Sequence, residues 1–211
     1  MFLPFDFKSE LKYINDIEYS MVVTKFSAFP ELTTERLLLR QMTTNDAGAI
    51  FRLRSDKEVM KYIDRPLTES IEDAIKWIDM VNEAMLNEEG VPWAICLKED
   101  PTTLIGSIGF WRMQKQHYRA EIGYLLHPSF HGKGYMPEAI EKVVDFGFTI
   151  MNLHSIEGVI DPRKKASAKS LEKTGFVKEA HFKENYYWNG VFCDTAIYSK
   201  LSPVKKPVLD L

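Results

Sequence analysis

The sequence predicts an α/β (α+β) domain: one mixed, mostly antiparallel central sheet with helices on both faces. Three observations predict it. Periodicities of two and of 3.6 residues succeed one another in the order strand, helices, three strands, helix, strand, helix, hairpin. The three central strands are joined by turns too short for crossover helices, so the sheet is not doubly wound. One stretch, 120–136, runs from an alternating strand through a glycine turn straight into a helix.

The elements follow in order. Residues 1–30 carry Phe2, Phe5, Phe7, Phe26 and Phe29, with Leu11, Ile14 and Ile17 at the spacing of a short helix. So apolar an arm is costly to leave in water and is expected to pack on the domain or on a partner subunit. Leu37–Arg40 is the first clear strand. Thr44, Asn45 and Asp46 are expected to cap a helix whose apolar side is Ala47, Ile50, Phe51 and Leu53. Val59, Met60 and Ile63 make a short further turn, ended by Pro66. A long helix is predicted over Thr68–Asn87, capped by Thr68, with Ile71, Ala74, Ile75, Ile78, Val81 and Met85 inward. Strands are expected at Val91–Leu97, Leu104–Trp111 and Ala120–Leu126, and a helix at Glu138–Phe148. A strand at 154–160 then leads to a helix at Lys165–Lys173, closed by Gly175. Two last strands, Val177–Glu184 and Val191–Ser199, flank Asn189-Gly190, a strong hairpin signal. The tail at 202–211 has no periodic pattern, so the domain proper is expected to span 31–201.

Composition narrows the class. A 211-residue chain can bury about 70% of its unfolded surface and needs no disulfide staple. A net charge of −3 argues against a nucleic-acid-binding body. The first residues lack the basic start and apolar run of a secretory signal, and no apolar stretch approaches the roughly 18 residues of a membrane span. A cytoplasmic protein with no membrane partner, monomeric or homodimeric, is expected. Cys96 and Cys193 lie in apolar strand-like runs and read as buried thiols. The histidines at 117, 127, 131, 154 and 181 have no metal-ligand spacing, so no metal is expected.

The stretch from Ala120 to Met136 carries the chemistry. Ile122, Tyr124 and Leu126 alternate with Glu121, Gly123 and Leu125, and Pro128 ends the ladder. Gly132-Lys133-Gly134 follows, and then a helix. Main-chain N–H groups converge on such a turn and the helix dipole favours an anion there. An ordinary tight turn with left-handed glycines would give the same three letters. The segment is neither a Walker loop nor a full dinucleotide fingerprint.

Four landmarks in this order resemble the GNAT superfamily of acetyl-CoA-dependent N-acetyltransferases, and among them the branch that includes the ribosomal-protein-alanine N-acetyltransferases. They are Leu32-Thr-Thr-Glu-Arg-Leu-x-Leu-Arg40, Ala120-Glu-Ile-Gly-Tyr124, His131-Gly-Lys-Gly-Tyr-Met-Pro-Glu-Ala139 and Ser167-x-x-x-Leu-Glu-Lys-x-Gly-Phe176. The resemblance covers about Leu32 to Ser199 and leaves out residues 1–30. It implies that the family's fourth and fifth strands splay apart and that acetyl-CoA lies in the gap. It further implies that His131, Gly132, Lys133, Gly134 and Tyr135 hold the diphosphate, and that Leu125 and Leu126 offer main-chain groups to the pantetheine arm. The family's usual Gln or Arg before the loop is Ser129 here, and its frequent Asn before the late-helix serine is Lys164. Leu171 stands where other branches place a tyrosine acid, which excludes tyrosine catalysis from that site.

Within that frame Glu121 is the candidate base, on the strand face opposite Ile122 and Tyr124; a salt-bridged structural glutamate is the competing reading. A base is needed because an ammonium cannot attack a thioester. An α-amine of pKa about 8 is roughly a tenth neutral at pH 7, a lysine-like amine under a thousandth. Ser167, in the first turn of its helix, is the candidate donor to the departing sulfur, or simply a helix-start serine. Arg163, Lys164, Lys165 and Lys169 form a basic run, either solvated or touching cofactor phosphates. Trp111 and Tyr118, with Glu121, are expected to line the acceptor groove, and Tyr62 and Tyr187 are weaker candidates. The expected activity is acetyl transfer from acetyl-CoA to a primary amine by direct attack. A peptide or protein N-terminal α-amine is the expected acceptor and a small-molecule amine the alternative; a non-catalytic acyl-CoA-binding module on the same fold is the rival from another class.

Overall fold

Alternating apolar residues make most of the chain's strands, and pairing between them sets the architecture. The computed structural model describes residues 21–203. In it the strands are β1 (Leu32–Thr33), β2 (Leu37–Arg40), β3 (Val91–Leu97), β4 (Asp100–Gln114), β5 (Arg119–Leu126), β6 (Ser155–Ile160), β7 (Val177–Trp188) and β8 (Val191–Leu201). The helices are α1 (Ala47–Ser55), α2 (Lys57–Met60), α3 (Ile71–Leu86), α4 (Tyr135–Thr149) and α5 (Lys165–Lys173). The strands form one sheet in the order β1-β2-β3-β4-β5-β6-β8-β7. Every neighbouring pair is antiparallel except β5 and β6, which run parallel.

Side-chain alternation divides the core between the two faces. Trp93, Ile95, Ile108, Phe110 and Ile122 share one face with Ile140, Val143 and Val144 of α4. Ala94, Cys96, Leu104 and Leu125 share the other with Ile50 and Leu53 of α1 and Ile78 and Val81 of α3. Both cysteines are buried and unbridged.

Several boundaries move from their predicted places, each for a local reason. Thr68 does not cap α3: its N–H donates to the Arg54 carbonyl at 3.0 Å, holding it in the approach, and Ser70 caps instead by accepting from the Asp73 N–H at 3.1 Å. Ile71, expected inward, falls in the first turn and is exposed. Thr44–Asp46 form a 3-10 turn, and buried Asp46 accepts from both Arg40 terminal nitrogens at 2.7 and 2.8 Å. Helix α4 begins at Tyr135, three residues before the expected Glu138, because left-handed Gly134 delivers the chain directly into the helix. Asn189 and Gly190, both with positive φ, make the tight β7–β8 turn and let both strands run longer than predicted.

Of the N-terminal arm, residues 21–30 are described. Phe26 lies 5.6 Å from the Phe146 ring, Phe29 lies 6.2 Å from Trp93, and Trp93 Nε1 donates to the Pro30 carbonyl at 2.7 Å. The expected helix around Leu11, Ile14 and Ile17, the phenylalanines at 2, 5 and 7, and the tail beyond 203 lie outside the described residues. Among the described residues no helix is long and apolar enough to cross a membrane.

Candidate functional site

The sheet opens at its one parallel junction. β5 and β6 pair at Arg119↔Ser155, Ala120↔Ile156 and Glu121↔Glu157, and the pairing stops there. Ile122–Leu126 stay bound to β4 on their other side, while Gly158–Ile160 stay bound to β8. The phase of the β4–β5 ladder decides which main-chain groups face the opening. His127 N–H donates to the Ile105 carbonyl at 2.8 Å, so the odd-numbered residues of β5 spend their polar groups on β4. Tyr124 turns both of its groups to the gap and Leu126 turns its N–H there, its carbonyl being taken by His131, whereas Leu125 turns neither. Such groups fit an extended, amide-bearing ligand that takes the place of a strand.

A groove of about 1220 Å³ runs from the α1–α3 side of the sheet through this opening to the start of α5. Glu121, Trp111, Gly123 and Tyr124 of the central strands line it, together with Lys164 and Ser167. Glu121 sits where β5 and β6 part. Its carboxylate pairs with Arg112 at 2.8 Å, and its side chain is only 16% exposed. Burial pushes its pKa above the ordinary carboxylate range, against the pull of Arg112, and neighbouring Glu157 pushes the same way. Glu157 itself is held by Arg119. Trp111 stands opposite Glu121 in the ladder. A Cβ at Gly123 would come within 3.0 Å of its indole, so glycine is what lets that ring lie flat on the strand.

Across the opening, Ser167 is buried in the first turn of α5, and the Tyr124 hydroxyl donates to its carbonyl at 3.2 Å. Burial raises the Tyr124 pKa, so this phenol stays protonated. Lys164 has its pKa lowered by burial, with Asp161 opposing. Arg163 does not join a free basic cluster, because it pairs with buried Asp161; Lys165 and Lys169 are exposed.

The glycine turn meets the conditions of an anion site. Gly132 and Gly134 have φ of +75° and +81°, and no side chain caps the first turn of α4. A Cβ on Gly132 would meet nothing within 4 Å, so the surface above the loop is open. His131 serves the loop structurally: its Nε2 donates to the Leu126 carbonyl at 2.8 Å. Lys133 lies over the Phe130 ring, 5.3 Å from its centre.

Of the residues singled out in the sequence, the structure brings Glu121, Ser167, Trp111 and Lys164 to one groove. Tyr118 ends a 3-10 turn in the left-handed conformation and packs against the α4-side core, and it is not among the residues that line the groove. The sequence reading passed over Arg36, Arg112 and Arg54. Arg36 belonged to a quoted motif. It donates to the Lys133 carbonyl at 3.0 Å, pairs with Glu138 at 2.6 Å and covers Tyr135, fastening the loop from below. Arg112 and Arg54 carried no local signal, since their importance arises only from what the fold sets beside them. Among the described residues, no three of His, Cys, Asp and Glu are placed to hold a metal.

Residues 36–177 match the family described as "Acetyltransferase (GNAT) domain". The uncharacterized N-acetyltransferase YoaA of Bacillus subtilis is 41% identical over 175 residues, covering 83% of this chain and 98% of that protein. A spermidine N(1)-acetyltransferase of Vibrio cholerae is 25% identical over 162 residues, covering 75% and 89%. Among solved structures, a GNAT-family acetyltransferase from Bacillus anthracis superposes with a TM-score of 0.73 at 29% identity, over 82% of this chain and 99% of that one. A ribosomal-protein-S5-alanine acetyltransferase from Vibrio fischeri also gives 0.73, at 24% identity over 84% and 100%.

Proposed function

Because the chain belongs to the GNAT acetyltransferase family, and is thus an acetyl-CoA-dependent acetyltransferase, we propose that its acceptor is the primary amine of a small molecule. The observation that carries the reading is the groove: it brings Glu121 from the helix-covered acceptor face to the point where β5 and β6 part. The expected preference for a protein N-terminus takes second place. The ribosomal-protein enzyme is similar at an identity that speaks only to fold, whereas a spermidine enzyme is similar in sequence along three quarters of the chain. The specific ribosomal-protein-alanine branch is therefore not part of the proposal.

Acetyl-CoA supplies the acetyl group as an activated thioester. In our reading the N–H groups of 132–135 hold its diphosphate, and the main-chain groups of Tyr124 with the N–H of Leu126 hold its pantetheine arm. The arm contact expected at Leu125 passes to Tyr124, because Leu125 faces β4. Glu121 accepts the proton of the acceptor's ammonium, directly or through a water. Its raised pKa brings it nearer the operating pH, where a base works best. Arg112 keeps the carboxylate oriented. Ser167 stands on the far side of the opening, where a hydroxyl can hydrogen-bond to departing sulfur.

The test is thiol release from acetyl-CoA across polyamines, amino acids, their amides and short peptides. Turnover of small amines at least tenfold above peptides in kcat/KM is expected. Peptide-only turnover would overturn the acceptor class.

A further inference from the structure

We propose that the acceptor carries an anionic group, a carboxylate, alongside the amine, and that Arg54 binds it. The proposal rests on the acetyl-transfer reading above and narrows its substrate. Arg54 lies in the last turn of α1 and lines the groove. Its guanidinium lies over the indole of Trp77 on α3, 4.6 Å from the ring centre. A guanidinium stacked on one face keeps its N–H donors pointing outward in its own plane, the geometry that meets a carboxylate with two bonds.

What sets Arg54 apart is that no carboxylate partners it or opposes its burial. Among the described residues its guanidinium makes no ion pair, and Nε is buried without a hydrogen-bond partner. Its pKa is drawn down by burial and by the like charge of Arg65, and no carboxylate opposes them. A buried donor left unmatched is costly, and a charged one more so. Of the other cations lining the groove, Arg65 pairs with Asp64, Arg112 with Glu121 and Lys115 with Glu88, while Lys164 makes no ion pair but has the charge of Asp161 opposing its burial.

Arg54, Arg65 and Glu121 line the same groove. An amine at Glu121 therefore shares the groove wall with Arg65 and Arg54. That wall suits a carboxylate on the same molecule and repels a second ammonium. The groove acids without a cationic partner, Glu83 and Glu89, are exposed, where water screens them. A polyamine finds no buried, unpaired carboxylate to hold its far end.

The experiment compares matched acceptors on the full chain: α- and ω-amino acids against their carboxamides, with spermidine as the tricationic control. Thiol release should favour the carboxylate member at least tenfold in kcat/KM. Arg54→Gln should bring that ratio to within threefold, mostly by raising KM for the carboxylate while leaving the carboxamide unchanged. Arg54→Lys should retain part of the preference. Calorimetry of the same ligands on CoA-saturated protein reads the anion contact without turnover. No thiol release with any amine would defeat the acetyl-transfer reading, while calorimetry would still judge Arg54. Equal binding and turnover of acid and amide by the unaltered protein would overturn the proposal, as would a preference that survives in Arg54→Gln. If Arg54→Gln does not fold, as its melt would reveal, the unaltered protein and Arg54→Lys decide.

Discussion

Glu121 concentrates the conflict between stability and chemistry into one side chain. Its carboxyl is held above the ordinary range by burial, so its ionised form is a burden on the folded state at neutral pH. The sign follows from linkage. A raised folded-state pKa gives stability that is complete below the unfolded value and lost as pH rises through the folded one. Glu121→Gln should therefore melt at or above the parent temperature at pH 8, with the difference shrinking toward acid pH. The lost Arg112 pair offsets little, because Arg112 is 61% exposed. The same variant should lose turnover by about a hundredfold or more if the carboxylate is the base, with acetyl-CoA affinity unchanged. Parent kcat/KM should fall as pH drops through the raised pKa. A variant that keeps parent turnover from pH 6 to 9 would move the base elsewhere; one that melts lower would make Glu121 structural. The sequence displayed this glutamate because strand alternation alone puts it opposite Ile122 and Tyr124. It could not display Arg112, whose φ of +47° lies at the break in the β4–β5 register.

Among the elements, those whose apolar residues keep one period were legible, and those set by a single cap or a main-chain bond were not. Helix α3 was found but begun two residues early at Thr68, since Thr68 and Ser70 are equally good caps on paper. Only the carbonyl of Arg54 distinguishes them. Strand β1, two residues long, has no periodicity to read. The sequence marks the arm as aromatic-rich, yet offers no docking site for it. Its described end lies on Phe146 and Trp93, rings that belong to the α4-side core. Phe26→Ala should consequently lower stability by about 1–2 kcal/mol, below the cost of a fully buried phenylalanine, since Phe26 is half-buried. Denaturant unfolding checks this. An unchanged midpoint would mean that residues 21–30 lie on the domain without stabilising it.

At the scale of the whole molecule, the sheet is two sheets joined at a short seam. β1–β5 form one part and β6–β8 the other, and three residue pairs hold them before the seam opens. Beyond those pairs, the Tyr124 hydroxyl to Ser167 carbonyl bond spans the opening. A ligand that lies in the gap would satisfy main-chain groups that the fold leaves unpaired, and would bind the two parts together. That gives an outcome specific to single amides. On adding CoA, the N–H groups of Tyr124 and Leu126, which face the gap, should gain protection from hydrogen exchange. Leu125, already bonded to β4, should change only as much as the domain as a whole. The domain itself should gain about 2.7 kcal/mol at a CoA concentration a hundred times Kd, as for any ligand that binds only the folded state. NMR exchange at these three residues separates the two effects. Equal protection of all three would report global stabilisation alone and remove the main-chain contact from the proposal. Protection at Tyr124 and Leu126 above Leu125 would place the pantetheine arm along the even-numbered edge of β5, as the ladder's phase requires.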